Sequence, residues 1–412
     1  MFIKQNYDKE LRKITKRSNE KCLIKECSEK SIYSHIISKS ISIDKIAKKN
    51  HLTVFYPSRH KDEKIPRFIS VGVNDAPAFN GFCKIHDNMF DLIDSSEIES
   101  LLGVYLQIYR TISGVFYYLK IGDILYPDID VTSDSTYDYI RSELEEQRPI
   151  DEERFNKIKE EIKKQLININ DEKNSELEKT MTAIQGIQEF FFNEIKNKKE
   201  ELNNIKLDKN ILQIMEIKEL DYQVFIYSTD FQIPVAVSTL HTFPCNSNSN
   251  DKSYLFYIVV PYENSNIIIG VIGNSVHSTI LNKIAGVVNS SFNDPFSVLN
   301  FVESLVISSS DDSFFSPNVI EEMSNEKLQV FKSDCMCLHE FQNSSKYLSE
   351  YDMSIFDNVR SQLIRKVSTN IKRETIKLSK IPIRDDYEKR IVKMKEKILC
   401  ENPILRKLAS SK

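Results

Sequence analysis

The chain has 412 residues, of which 41% are hydrophobic, and this is enough for two or three domains with apolar cores. It contains no run of about 18 apolar residues and no N-terminal pattern of charged, apolar and small residues, so we expect neither a membrane-spanning nor an exported protein. Seven cysteines, an odd number, favour the reducing cytoplasm over a disulfide framework.

The formal net charge of −4 conceals two basic ends and an acidic middle. Residues 1–67 hold 17 Lys or Arg against 8 Asp or Glu, and residues 360–412 hold 16 against 6. Basic segments are what a nucleic-acid-binding surface needs, because each neutralised phosphate releases a counterion. The alternative is that the lysines reflect a codon bias and simply lie on solvent-exposed faces. The acidic middle is expected to contact protein or no partner at all.

Two short motifs predict a metal site near the N-terminus. Cys22-x4-Cys27 follows a predicted basic helix over residues 1–21 and suits a knuckle between strands, whereas Cys83-x2-His86 suits the first turn of a helix, where residues three apart share a face. Structural zinc sites take four such ligands in a tetrahedron, usually as two close pairs. We therefore predict one structural Zn²⁺ bound by Cys22, Cys27, Cys83 and His86. Because 55 residues separate the pairs, two buried cysteines and an incidental histidine are the alternative.

The sequence Ser34-His35-Ile-Ile lies between the two pairs, and Asn80 comes three residues before the second pair. This order resembles the HNH-type treble-clef nucleases, and it is similar to a variant group that has Ser-His-Ile-Ile at this point. The resemblance covers about residues 18–95. It implies an N-terminal treble-clef zinc module in which His35 is the general base and Asn80 orients the hairpin that carries it.

The chain departs from the family pattern at two points. Ser34 stands where the family has a carboxylate that helps to hold a catalytic divalent ion, and His86 followed by Asp87 replaces the usual Cys-His. Asp87, Asp91 and Asp94 recur at spacings that place them on one helical face. Asp87 could therefore supply a carboxylate for a catalytic Mg²⁺ or Mn²⁺. The alternative is that acidic residues favour the first turns of a helix.

The next elements are a short helix over residues 42–49 and an alternating strand over residues 52–56. Residues 57–66 are polar and predict an exposed basic loop. This loop could follow a phosphate backbone, or it could be an ordinary surface loop. Its candidate nucleic-acid-binding residues are Arg59, Lys61, Lys64 and Arg67.

Residues 97–207 have a helical pattern almost throughout. Two long charged helices are expected to join near residues 170–174 and to form an antiparallel pair. Such an arm mediates dimerisation or partner docking, or it is a simple core hairpin. Arg110 lies within an apolar stripe, and we expect it to be a paired structural arginine.

After residue 220 the chain is rich in β-branched and aromatic runs that predict an antiparallel sheet of four strands. The predicted strands are residues 224–227, 235–237, 254–260 and 267–271. Helices are expected near residues 277–288, 295–306 and 318–327. His241 with Cys245, and Cys335 and Cys337 with His339, raise the question of a second metal site. Ligands crowded as Cys-x-Cys-x-His favour a buried structural role instead.

The sequence thus predicts an α+β multidomain protein. Its parts are a treble-clef zinc module (1–95), a central helical hairpin or arm (96–219), an antiparallel sheet with helices (220–350) and a basic helical tail (351–412). The resemblance implies a divalent-metal-dependent endonuclease acting on DNA or RNA, with bacterial defence or a toxin-like system as its expected setting. The cysteine content predicts the cytoplasm as its location. The competing hypothesis is a non-catalytic, zinc-stabilised module that binds nucleic acid or protein. A homodimer through the arm is a further predicted partnership, and no membrane partner is expected.

Overall fold

The computed structural model describes residues 21–56, 67–125, 132–145, 152–245, 251–337, 339–342, 346–367, 369–386 and 389–390. The chain divides into two compact units. One comprises Met1–Tyr118 and Gln185–Arg384, and the other comprises Leu119–Ile184 and Asp385–Lys412. The domain limits that we placed at residues 95, 219 and 350 stay predictions.

The strands of the described residues are β1 (Ile32–His35), β2 (His51–Tyr56), β3 (Arg67–Gly72), β4 (Ala78–Phe82), β5 (Gln213–Ile217), β6 (Tyr222–Ser228), β7 (Val235–Pro244), β8 (Lys252–Pro261), β9 (Asn266–Gly273) and β10 (Ser313–Phe315). The helices of the described residues are α1 (Asp44–Ile46), α2 (Lys84–Asp87), α3 (Asp91–Ser95), α4 (Leu101–Leu125), α5 (Asp134–Glu145), α6 (Glu152–Asn197), α7 (Lys199–Asn204), α8 (Ser278–Ser291), α9 (Pro295–Ser308), α10 (Pro317–Glu321), α11 (Asn325–Met336), α12 (His339–Gln342), α13 (Asp357–Lys366) and α14 (Ile371–Ser379).

A small two-stranded sheet carries two of the candidate catalytic residues, His35 and Asn80. Strands β1 and β4 pair antiparallel, with His35 opposite Ala78 and Tyr33 opposite Asn80. The register shifts between Ile32 and Tyr33, which is a β-bulge that gives β4 one extra residue. Strand β4 leads directly into α2, so the sheet and this helix are fixed to each other by a very short connection.

The predicted four-stranded sheet is confirmed as the centre of a larger one. Strands β7, β8, β9 and β6 pair in that order, all antiparallel. Strand β5 extends one edge, while β10, β2 and β3 extend the other to give eight strands. Strands β2 and β3 lie in the chain between β1 and β4, so the segment between the two metal-ligand pairs contributes to the large sheet.

The central strands of the large sheet are buried along their length. Every residue of β9 is buried, as is every residue of β8 after Lys252, so both faces of these strands are covered. Helix α9 begins where predicted because the Asp294 carboxylate accepts hydrogen bonds from the backbone N–H groups of Phe296 and Ser297, and Pro295 occupies the first turn.

The helix predicted over residues 42–49 is shorter in the structure, where α1 covers Asp44–Ile46, and two other helix predictions differ more strongly. The predicted break at residues 170–174 is wrong, because residues 152–197 form the single helix α6. Residues 170–174 contain two asparagines but no proline or glycine, and each Asn costs a helix less than about 0.7 kcal/mol. The helix predicted over residues 318–327 is instead two helices, because the Ser324 hydroxyl caps a new helix by accepting from the N–H of Lys327.

The fold is therefore α+β, with helices and a large antiparallel sheet, as the sequence predicts.

Candidate metal centre

Cys22 and Cys27 lie in a tight turn over residues 21–30. An isolated antiparallel bridge joins Lys21 to Lys30, and the N–H of Cys22 donates to the Glu29 carbonyl at 2.9 Å. Within the turn, the N–H of Cys27 donates to the Ile24 carbonyl at 3.0 Å. These bonds bring the two thiols together at the tip of the turn, as expected for a metal-binding knuckle.

The second pair lies where β4 meets α2. Cys83 is the residue immediately before the helix, and its carbonyl accepts from the N–H of Asp87 at 2.8 Å. His86 is three residues further on and therefore lies on the same face as Cys83. The prediction that Cys83 opens a helix carrying His86 is confirmed.

A backbone contact joins the two pairs independently of the side chains. The N–H of Leu23, within the knuckle, donates to the carbonyl of Gly81 at 2.7 Å. Gly81 is the extra residue of the β4 bulge, and a Cβ atom at this position would lie 2.0 Å from the Phe79 ring. Only glycine allows the strand to pass this ring while its carbonyl faces the knuckle.

The four predicted ligand atoms converge. The Nδ1 atom of His86 lies 3.4 Å from Cys22 Sγ and 3.3 Å from Cys83 Sγ, and the sulfurs of Cys27 and Cys83 are 3.9 Å apart. All four atoms lie within 4.8 Å of one another. With metal–sulfur bonds of about 2.3 Å and metal–nitrogen bonds of about 2.0 Å, a tetrahedron has edges of about 3.8 Å and about 3.5 Å. The cluster could therefore bind one metal ion.

The surroundings of Cys22 and Cys83 shift the pKa values of their thiols in opposite directions. Burial raises the pKa of Cys22 to about 11. Burial also acts to raise the pKa of Cys83, but the N–H groups of His86 and Ile85 at the start of α2, with the neighbouring thiols, lower that pKa overall. The helix start thus supports a thiolate at Cys83, the form of cysteine that binds metals.

His35 is separate from this cluster. Its partner Ala78 precedes Cys83 by five residues, which corresponds to about 16 Å of extended strand. The Nε2 atom of His35 lies 3.0 Å from the Val73 carbonyl oxygen. Because a carbonyl only accepts, Nε2 carries the hydrogen and the lone pair of the neutral ring is on Nδ1.

Burial is the main cause of a lowered pKa for His35, and the positive charges of Arg110 and Lys39 lower it further. The hydrogen bond to Val73 and the charge of Asp94 act in the opposite direction without cancelling this effect. The imidazole is therefore neutral at neutral pH, which is the form that can accept a proton.

The residues beside His35 point to alternate sides of the small sheet. Asn80 is buried and lies on the His35 face, opposite Tyr33. Ser34 faces the other way, opposite Phe79, with only 4% of its surface exposed. The Ser34 hydroxyl has no hydrogen-bond partner among the described residues.

The three aspartates of the predicted acidic face have different surroundings. Asp94 makes a two-pronged ion pair with Arg110, at 2.8 and 2.9 Å, so the prediction that Arg110 is a paired structural arginine is confirmed. Asp91 is exposed. One carboxylate oxygen of Asp87 is buried without a hydrogen-bond partner among the described residues. Asp94, rather than Asp87, is the carboxylate whose charge acts on His35. The pairing of Asp94 with Arg110 could not be predicted from the sequence, because the spacing of residues does not show how closely α3 and α4 approach each other.

The remaining predicted site residues lie elsewhere. Arg59, Lys61 and Lys64 fall outside the described residues, whereas Arg67 begins β3 with its side chain exposed. Their role in binding nucleic acid stays a prediction.

The cysteines of the suspected second site are buried. Cys335 and Cys337 have no exposed surface, as expected for a structural role. His241 is also buried, and its Nδ1 lies 2.7 Å from the Tyr347 hydroxyl. Among the described residues, the only cluster of potential metal ligands is the one formed by the two pairs described above.

No family model matches the chain, and no curated protein or solved structure matches it either. The resemblance to HNH-type nucleases thus stays a prediction. Among the helices of the described residues, none has both the length and the apolar composition needed to cross a membrane.

Proposed function

We propose that Cys22, Cys27, Cys83 and His86 bind one Zn²⁺, and that this ion is structural. Three sulfurs and one imidazole nitrogen are a donor set that zinc favours, and the distances between them fit a tetrahedron. A site with four protein ligands is closed and leaves no position for a substrate. The ion would hold the knuckle against the start of α2.

We propose further that the knuckle, the β1–β4 sheet and α2 form a treble-clef module of the HNH type with Ser-His in place of the usual carboxylate-His. The order of these elements along the chain supports the proposal, since the sheet lies between the two ligand pairs and the second pair opens a helix.

The function we propose for this module is endonucleolytic cleavage of nucleic acid. The orientation of His35 carries the proposal: its Nε2–H donates to the Val73 carbonyl, so Nδ1 can take a proton from an attacking water. A divalent ion such as Mg²⁺ or Mn²⁺, with Asp87 as the proposed carboxylate, would stabilise charge on the leaving oxygen. A role in bacterial defence or as a toxin-like effector is the setting we propose.

The second candidate function is binding without cleavage. Two observations favour it: Ser34 offers no carboxylate, and Asp94, whose charge acts on His35, is held by Arg110. Because Ser34 is buried on the opposite face from His35, a Ser34→Asp change would place a charge in a buried site instead of restoring a ligand. The zinc-stabilised module would then serve as a clamp for nucleic acid or protein.

Cleavage of plasmid DNA, single-stranded DNA and RNA by the full zinc-loaded chain, with Mg²⁺ or Mn²⁺, separates the two candidates. We expect His35→Ala to abolish cleavage while zinc content and nucleic-acid affinity stay unchanged. His51→Ala is the matched control, because His51 is an exposed histidine on β2. Since the pKa of His35 is lowered, activity should rise with pH around a midpoint below about 6.5. If the wild type binds nucleic acid but cleaves none of these substrates, the second candidate replaces the first.

A further inference from the structure

Strand β5 forms one edge of the large sheet. Among the described strands it pairs only with β6, and β6 is the only described element that contacts it extensively. Two isoleucines at this edge are exposed, Ile211 at 55% and Ile214 at 51%. The edge therefore combines a strand that lacks a second partner among the described residues with apolar side chains in solvent.

Hydrogen bonds at the two ends of β6 show which way its backbone groups point. Just after β6, the N–H of Thr229 donates to the carbonyl of Asn266 at 2.9 Å. Just before β6, the carbonyl of Asp221 accepts from the N–H of Asn274 at 2.9 Å. Both partners lie next to the ends of β9. Since backbone groups alternate in direction along a strand, the odd-numbered residues of β6 point toward β9 and the even-numbered residues point toward β5.

The same alternation gives the direction of the backbone groups on β5. The even-numbered residues of β6 are opposite Gln213, Met215 and Ile217, so these three residues direct their N–H and C=O groups toward β6. The N–H and C=O groups of Ile214 and Glu216 therefore point to the open edge. They offer two donors and two acceptors to a further strand.

Residues 211–217 lack the features with which proteins protect an open edge. They contain no proline, lysine or arginine, and β5 pairs with β6 without a bulge. Such an edge pairs with a strand that offers a complementary row of groups, and a second copy of the chain always offers one at equal concentration. Antiparallel pairing of β5 with itself covers both copies of this edge at once, so this contact closes at two copies.

The side chains favour one register for such a pair. With Ile214 opposite Ile214 of the second copy, the backbone groups of the two residues bond to each other and their side chains meet on one face. Glu216 is the only charged residue of the segment, and it then lies opposite Leu212 of the second copy. The two Glu216 residues are four positions apart in this register, which is about 13 Å along the strands. A register with Glu216 opposite itself would bring like charges together, which is unfavourable.

We propose that β5 pairs antiparallel with β5 of a second copy of this chain, about a two-fold axis at Ile214, so that the two large sheets join. The partner surface is the sheet edge and not the helical arm that the sequence suggests for a dimer. The inference is independent of the proposed function, because it uses neither the metal centre nor His35.

Sedimentation of the full zinc-loaded chain, from about 1 to about 100 µM, tests the inference. We expect a monomer–dimer equilibrium with a dissociation constant on the order of micromolar, because two short strands bury less than a standard interface. Ile214→Lys should raise this constant at least about tenfold, since two lysines would replace the apolar pair at the axis. Its circular dichroism should stay that of the wild type, because the side chain is half exposed.

The matched control is Ile376→Lys, which changes an isoleucine of similar exposure, 56%, on α14 outside the sheet. It should leave the dissociation constant unchanged. Mixing Ile214→Lys with Ile214→Glu tests the register: each variant alone should be monomeric, and the mixture should form a heterodimer because opposite charges then lie across the axis.

Three results would each overturn the inference. The first is a wild type that stays monomeric over the whole concentration range. The second is a dimer that Ile214→Lys does not weaken, or that Ile376→Lys weakens equally, since the contact would then lie elsewhere. The third is a mixture of the lysine and glutamate variants that stays monomeric, because residue 214 would then not face its own copy.

Discussion

Two regions of the protein bring distant parts of the chain together around a place for a positive charge, and they differ in what would supply that charge. At the candidate metal centre, the knuckle of residues 21–30 meets the junction of β4 and α2 through four side chains that leave room for an ion. In the second region, which we call the arginine centre, the side chain of Arg360 on α13 is itself the cation. Its acceptors are Asn300, Glu303, Ser354 and Glu374.

The arginine centre is completely enclosed. The side chains of Arg360 and Glu303 have no exposed surface. The guanidinium donates to Glu303 at 2.7 Å, to Asn300 at 2.9 Å and to Ser354 at 3.0 Å, and it also pairs with Glu374. The second oxygen of Glu303 accepts from the backbone N–H of Ile355 at 2.8 Å. This centre links α9, α13 and α14 without any component from solution.

The stabilities of the two regions should therefore depend on different conditions. The arginine centre is complete whenever the chain is folded. With the structural zinc that we propose, the stability of the candidate metal centre would depend on the metal concentration and be coupled to metal binding. A test of the comparison must therefore perturb each region separately.

The largest effect should come from removing the metal. We expect chelation, or Cys83→Ser, to unfold the knuckle, the β1–β4 sheet and α2, since structural zinc contributes on the order of 10 kcal/mol in small zinc modules. Strands β2 and β3 should keep their protection because they pair within the large sheet. Hydrogen exchange read by mass spectrometry distinguishes these segments.

Cys245→Ser serves as the control for the cysteine change, because Cys245 lies outside the cluster. Two results would contradict the inferred difference between the regions. One is hydrogen exchange in the knuckle that does not change after chelation, and the other is unfolding of β8 and β9 to the same extent as the knuckle.

The next effect should come from breaking the arginine centre. Replacing Arg360 by methionine removes the main cation from the buried carboxylates of Glu303 and Glu374, but Lys377 still lies 3.2 Å from Glu303. Breaking a buried ion pair costs about 3–5 kcal/mol, and because Lys377 remains we expect a loss at the lower end of this range.

Lys157→Ala is the control, because Lys157 and its partner Glu153 are exposed and lie outside the arginine centre, and a surface pair contributes less than about 1 kcal/mol. Urea unfolding midpoints measure both variants. Equal midpoints for the two variants would contradict the account.

The same two regions show what a sequence can and cannot reveal. The convergence of Cys22, Cys27, Cys83 and His86 was predictable, because cysteine and histidine are rare here and zinc sites have short spacings within each ligand pair. The arginine centre was not predictable, because Arg360 is separated from Asn300 by 60 residues and from Glu374 by 14, and such pairs have no fixed spacing. Its members appear in the sequence as ordinary charged positions of amphipathic helices.

The sheet shows the same limit. Its four central strands were predictable from their β-branched runs. Strand β10 was not, because it has only three residues, and it pairs with β2 and β7 through tertiary contacts. The pairing of β2 with the large sheet was also missed, since a strand pattern predicts burial but not its partner.

A smaller loss of stability is expected from a change at Gly81, next to the candidate metal centre. Gly81→Ala would place a methyl group 2.0 Å from the Phe79 ring and disturb the carbonyl that accepts from Leu23. We expect a cost of about 1–3 kcal/mol, as for other overpacked sites. The control Gly186→Ala adds a methyl group with no atom within 4 Å. Thermal unfolding of the zinc-loaded protein measures the difference. Equal melting temperatures would show that the bulge does not position the knuckle.

The smallest expected effect on stability comes from Asp312, a carboxylate outside the arginine centre. Burial, with the charge of Asp311, raises the pKa of Asp312 to about 7, whereas Arg360 and Lys377 lower the pKa of Glu303 despite its burial. The folded protein therefore binds the Asp312 proton more tightly than the unfolded chain, and this stabilisation is lost as pH rises from about 4 to about 7. The effect of Glu303 has the opposite sign, because its stabilisation is lost as the pH falls below its ordinary pKa.

We expect Asp312→Asn to raise the melting temperature at pH 8 and to leave it unchanged at pH 4. Asp230→Asn, at an exposed position, should change neither value. A lower melting temperature for Asp312→Asn at pH 8 would contradict the proposed sign.

X-ray absorption spectroscopy of the purified full chain, combined with metal analysis, tests the central claim that Cys22, Cys27, Cys83 and His86 hold a structural zinc ion. We predict one zinc per chain with three sulfur neighbours at about 2.3 Å and one nitrogen at about 2.0 Å. In His86→Ala the nitrogen neighbour should be replaced or lost while the sulfurs remain. A chain purified without zinc that binds none on addition, or an ion surrounded mainly by oxygen, would contradict the claim.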